Sequence, residues 1–184
     1  MVHDHTSQPS MAAAATLHCL TGCSIGEVGG MLISAATGLG NVASILLSLG
    51  LAFVFGYALS SLPLLAAGLP VRRVVLLVLA ADSLSILTME VVDNGFVALV
   101  PGALDAGLPD SLFWWSTMLS LVVAFGAADP VNRWLLVRGQ GHAITHGAQS
   151  EPAAAPRRIP VPATATLAVG IVTFMLGGLL ATLP

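Results

Sequence analysis

Lysine is absent from the 184 residues, and charge of either sign is scarce, with Asp, Glu, Lys and Arg together making up 8%. A soluble domain carries roughly 25% charged residues, so this chain has too little charge to cover a water-facing surface. The net charge is −3 and there is no basic run, which excludes nucleic acid as a partner. Cysteine is limited to Cys19 and Cys23, too few and too close for the disulfide framework of a small secreted domain. The opening MVHDHTSQPSM holds His3, Asp4 and His5 in place of the basic region of a cleavable secretory signal. No internal repeat stands out, so sequence symmetry gives no support to an inverted-repeat transporter.

What the chain has in quantity is apolar: 56% hydrophobic residues and a mean hydropathy of +0.92. These numbers predict an all-α integral membrane protein whose first partner is the lipid bilayer. A helix crosses the hydrocarbon with about 20 apolar residues, and five stretches qualify: 12–36, 42–62, 74–100, 112–136 and 161–183. The expected organisation is an N-terminal tail (1–11), a four-helix transmembrane core with a polar lining (12–138), a flexible linker rich in Pro, Ala and Gly (139–160), and a fifth transmembrane helix (161–184). Five spans place all six arginines on the side of the N-terminus, whereas the opposite loops carry acids such as Asp105 and Asp110. The positive-inside rule then puts the N-terminus, tail and linker in the cytoplasm of a bacterial inner membrane and the C-terminus outside. Trp114, Trp115 and Trp134, near the ends of the fourth span, fit an aromatic belt.

The first span reads LHCLTGCSIGEVGG over residues 17–30. At about 100° per residue, Cys19, Cys23 and Glu27 form one slowly winding stripe, with Gly22, Gly26 and Gly30 in a second stripe beside it. Glycines at that spacing let another helix backbone approach closely, so the thiols and the carboxyl border a packing seam and face the bundle interior. His18 points about 100° away from Cys19. Intramembrane ionisable groups are expensive and are functional candidates by default. Glu27 reads either as a proton-carrying carboxyl or as a neutral partner in an interhelical hydrogen bond. The two cysteines read either as ligands or as small buried hydrophobes.

The third span supplies Asp82, Met89 and Asp93 on one face, with Glu90 roughly 80° from Asp82. Counting rise per residue sets Asp82 near the depth of Cys23 and Glu90 near Glu27, with Asp93 and Asn94 approaching the outer surface. On the fourth span Asp129 precedes Pro130, and Arg133 four residues on is its expected ion-pair partner. Asn132 is expected to bond carbonyls freed by the proline. His142 and His146 of the linker, with His3 and His5, read as exposed histidines able at most to load or deliver a metal.

Cys, His and Met suit copper or zinc. The expected function is therefore the handling of a soft or borderline transition metal, as carrier, sensor or chaperone. The candidate ligands are Cys19, Cys23, His18 and Met89, with Glu27, Asp82 and Glu90 as ligand or proton carboxylates. No C-x-x-C or H-E-x-x-H occurs, and nothing demands an enzyme. Two alternatives stay open: a thiol–disulfide oxidoreductase using Cys19 and Cys23, and a noncatalytic subunit whose glycine seam packs against a second copy or another membrane protein. The runs HCLTGCSIGEVGG, AADSLSILTMEVVDN, PGALDAGL, FWWSTMLSL and DPVNRWLLVRGQGHA resemble a bacterial family of small polytopic membrane proteins carrying a domain of unknown function. The resemblance covers roughly residues 15–146. Its His-Cys-x-x-Gly-Cys-x-x-Gly-Glu element is matched by His18, Cys19, Gly22, Cys23, Gly26 and Glu27. It implies membership and brings no activity or ligand, although the His-containing tail is similar to longer His-rich tails in some relatives and so favours metals.

Overall fold

In the computed structural model, residues 7–149 and 158–183 are described, and they are helical apart from short connections. The elements are α1 (Ser7–Thr37), α2 (Asn41–Ala66), α3 (Val71–Leu99), α4 (Ser111–Val137), α5 (His142–Gln149) and α6 (Thr164–Ala181). In a bilayer every backbone polar group needs an internal partner, so continuous apolar helices are the form these stretches must take. The all-α membrane architecture expected from composition is the one found. Four helices are long and apolar enough to cross a membrane, and the fifth apolar segment forms the shorter helix Ala165–Ala181. At 1.5 Å per residue, the 18 residues of α6 extend about 27 Å, slightly less than a typical hydrocarbon core.

The glycine stripe acts as the sequence predicts, and its partner is α2. A Cβ placed on Gly22 would strike the backbone of Gly56, one on Gly26 the backbone of Ala52, and one on Gly30 would strike Ser48. α2 answers with its own small-residue stripe, burying Ser48, Ala52, Gly56 and Ser60. Lipid chains are as apolar as leucine, so van der Waals contact between closely approaching backbones replaces the hydrophobic effect as the cohesive term. Ser48 Oγ also donates to the Glu27 carbonyl at 3.4 Å. With the glycines turned to α2, the adjoining Cys–Glu stripe turns towards α3, and α1 becomes the central helix, packed on α2, α3, α4 and α6.

Two expectations for α4 are corrected. Asn132 donates through Nδ2 to Thr16 Oγ1 on α1 at 2.7 Å, so the amide ties two helices together instead of serving the carbonyl freed by Pro130. Trp114 is buried, not part of a belt. Its Nε1 donates to the Leu108 carbonyl at 2.9 Å, and its ring meets Phe174 of α6 edge-on, with centroids 5.7 Å apart. Trp115 and Trp134 are exposed, and the Arg138 guanidinium stacks 3.9 Å from the Trp134 ring centroid. The ion pair expected next to Pro130 is present, with Arg133 Nε donating to Asp129 Oδ2 at 2.6 Å.

Residues 139–160, expected to be a flexible linker, begin with structure. α4 ends in paired carbonyl closures, Gly139 N–H to Leu136 and Gln140 N–H to Leu135. Gly139 (φ 65°) and Gly141 (φ 60°) then reverse the chain with left-handed backbone, and α5 folds back onto α2, α3 and α4. Residues 150–157 lie outside the described set, as do His3, His5 and the side chain of His146.

Candidate functional site

α1 and α3 face each other through polar side chains stacked along the bundle. Cys19 is fully buried, and its thiol faces Asp82, Ser85 and Ser60. One turn further along α1, Cys23 faces Glu90. Beyond it Glu27 faces Asp93 and Glu90. The pairing is shifted by about a turn from that obtained by counting residues for Asp82, which meets Cys19, whereas Glu90 lies near Glu27 as counted and also meets Cys23; Asp93 is buried against Glu27. Register is set by how the α1 glycines seat on α2, which counting from helix ends does not contain.

At the end of the bundle where α1 begins, Cys19, Asp82 and His142 converge. A donor atom from each lies within 4.8 Å of the other two, and His142 Nδ1 stands 3.3 Å from Asp82 Oδ1. His18 lies on the same side, near both His142 and Asp82. Asp82 is fully buried. Neither of its carboxylate oxygens makes a hydrogen bond of good geometry, nor do the buried hydroxyls of Ser60 and Ser85 that stand beside it and the Cys19 thiol. An unsatisfied buried polar atom costs about 1–3 kcal/mol, so these groups are expensive where they stand. A thiolate, a carboxylate and an imidazole form a mixed S/O/N set, the donor chemistry of a borderline divalent ion such as zinc.

Of the ligands expected from sequence, this cluster contains Cys19 and the carboxylate of Asp82, with His18 beside it. Cys23 sits a turn away, opposite Glu90. Met89 is buried in the apolar cluster shared with Cys19 and Cys23. Both cysteines are free thiols. The residue that sequence reading misplaced is His142, taken there as exposed; its side chain is 12% exposed and it completes the triad. The signal was the Gly-Gln-Gly that precedes it. Gly141 packs so closely that an added Cβ would come within 2.9 Å of Leu135 Cβ, with the Ala81 carbonyl 3.6 Å away.

A Gly141→Ala substitution should therefore swing α5 off α3. The left-handed backbone alone costs a non-glycine residue roughly 1–2 kcal/mol, before the contact with Leu135 is counted. The check is carbethoxylation of His142 followed by mass spectrometry. Wild-type protein should protect the imidazole and the alanine variant should react readily; equal reactivity would contradict this account of the turn.

At the opposite end, the C-terminal part of α1, the start of α2 and the α3–α4 connection enclose a half-open cleft of about 340 Å³. Glu27, Ser34 and Asn94 line it, and at its rim Asn41 Nδ2 donates to Asp105 Oδ1 at 3.0 Å. Asn94 Nδ2 also donates to Glu90 Oε2 at 3.3 Å.

No curated protein and no solved structure matches the chain. A family profile does, over residues 10–141, which runs from the first turn of α1 through α4 and the Gly-Gln-Gly turn; it takes in Cys19, Cys23, Glu27, Asp82, Glu90 and Asp93 and ends one residue before His142. The chain belongs to the family described as Domain of unknown function (DUF4396).

Proposed function

We propose that this membrane protein handles a transition metal, zinc or copper, at an intramembrane site built from Cys19, Asp82 and His142. The observation that carries the reading is the fully buried Asp82 carboxylate, which makes no hydrogen bond of good geometry and converges with a thiol and an imidazole. A buried carboxylate needs compensating charge; beside the His142 imidazole, a divalent cation would supply it together with the sulfur and nitrogen ligands. The carboxylate favours zinc over Cu(I), whose preference is for soft sulfur donors. Three protein ligands leave a coordination position for His18 or a transient donor, as suits an ion that is passed on rather than stored. Burial of both thiols supports metal binding over thiol–disulfide exchange, which needs an attacking thiolate to reach a sulfur.

The proposed setting is a bacterial inner membrane with the metal site towards the cytoplasm. Arg72, Arg73, Arg133 and Arg138 are all exposed and flank the α2–α3 connection and the end of α4, the same end as the site, which suits the positive-inside rule. The test is metal analysis of the detergent-purified protein beside a Cys19→Ser/Cys23→Ser double variant. Zinc or copper retained by the wild type and lost from the variant is the expected result. Equal, near-zero metal in both would sink the reading.

A further inference from the structure

The metal cluster accounts for only one half of the polar column. Past Cys23 the lining becomes acidic, with Glu90 and Asp93 from α3 and Glu27 from α1. From Cys19 to Glu27 the column advances about 12 Å along α1, and Glu27 then opens into the cleft at the other end of the bundle. Two buried groups on this stretch lack hydrogen bonds of good geometry. Asp93 is 4% exposed with both carboxylate oxygens unsatisfied, and it faces Glu27; Ser34 is 6% exposed, lines the cleft, and its hydroxyl is unsatisfied. The described arginines are all exposed, and the charged groups that face Cys23 and Glu27 are carboxylates. A lining of carboxylates selects cations.

We propose that Glu90, Glu27 and Asp93 form the second half of a cation path, joining the Cys19–Asp82–His142 site to the cleft at the opposite end. The protein is then a carrier that moves a divalent metal across the bilayer, rather than a one-sided sensor or chaperone. The column has a ligand set of different hardness at each end. Sulfur and nitrogen donors at Cys19 and His142 hold a partly dehydrated borderline ion. The carboxylates beyond Cys23 are spread too widely to chelate it directly: among the described residues, only Cys19, Asp82 and His142 bring three candidate ligand atoms within 4.8 Å. They suit a more hydrated ion that is held weakly and let go, and weak, multiple sites are what conduction requires.

This inference rests on the metal reading, and two measurements keep them apart. Full-length protein is reconstituted in liposomes containing a zinc-responsive dye, zinc chloride is added outside, and bound zinc is measured in parallel in detergent. Wild type should fill the vesicles, while Cys19→Ser should lose both binding and uptake. Glu27→Gln and Asp93→Asn should bind zinc as the wild type does and slow uptake by at least roughly tenfold. Glu27→Asp, which keeps the carboxylate, should recover part of the rate and so excludes misfolding as the cause. Zinc bound by the wild type without uptake above protein-free vesicles overturns the path and leaves the metal site standing. Uptake unaffected by Glu27→Gln and Asp93→Asn also overturns the path. Absence of bound zinc in the wild type overturns both.

Discussion

Cys19→Ser should weaken zinc binding by on the order of 100-fold, whereas Cys23→Ser should leave it nearly unchanged. Four-ligand structural zinc sites bind with about 10–16 kcal/mol, so one ligand accounts for roughly 3 kcal/mol, and each 1.4 kcal/mol is a factor of ten. Serine keeps the shape of the side chain and removes the thiolate, the strongest donor of the cluster. Cys23 is a buried neighbour a turn deeper, facing Glu90, and its loss changes packing by little more than a sulfur. Competition against a chromophoric zinc chelator in detergent measures both constants. The helical stripe alone treats the two cysteines as equivalent; the folded arrangement separates them. Equal losses would return the site to a two-thiolate chelate and remove His142 from it.

Gly26→Leu should be the most damaging single substitution in the fold. Its first side-chain carbon would already collide with the main chain of Leu51 and Ala52, and main chain cannot rotate aside as a side chain can. Overpacking of a well-packed interior costs about 1–3 kcal/mol, and the upper end is the minimum here because α1 and α2 must separate along the glycine seam. Separation would also move α1 against α3 and uncouple Cys19 from Asp82. The thermal midpoint of the detergent-solubilised protein, and the rate at which a maleimide labels Cys19 and Cys23, should register both effects. Gly29→Leu is the control: it lies on the same helix, yet an added Cβ meets nothing within 4 Å. If the two variants unfold and label alike, the seam is not what holds these helices together.

The bilayer makes part of this architecture legible in one dimension. Long apolar runs have to be helices, and the glycine spacing on α1 identifies which face another backbone approaches. The i, i+4 relation of Asp129 and Arg133 likewise contains its own geometry, and their ion pair is present. Features that depend on a distant partner are different. Nothing local to Asn132 indicates that its amide crosses to Thr16, and nothing local to Trp114 indicates that α6 covers it. His142 follows a run of glycine that reads equally as flexible linker or tight reversal. Its meaning depends on whether the returning helix finds a surface on α3.

By itself the sequence determined the solvent of this protein, the helical character of its spans and the small-residue face of α1, because composition and period act within a single segment. Tertiary structure decided which donors share a site. The seating of the α1 glycines on α2 turned Cys19 towards Asp82, and the left-handed turn after α4 brought His142 to the same place. Each of these depends on contacts between segments far apart in the chain. A short range of sequence carries a periodicity, but convergence of three donors from α1, α3 and α5 exists only once those helices have packed.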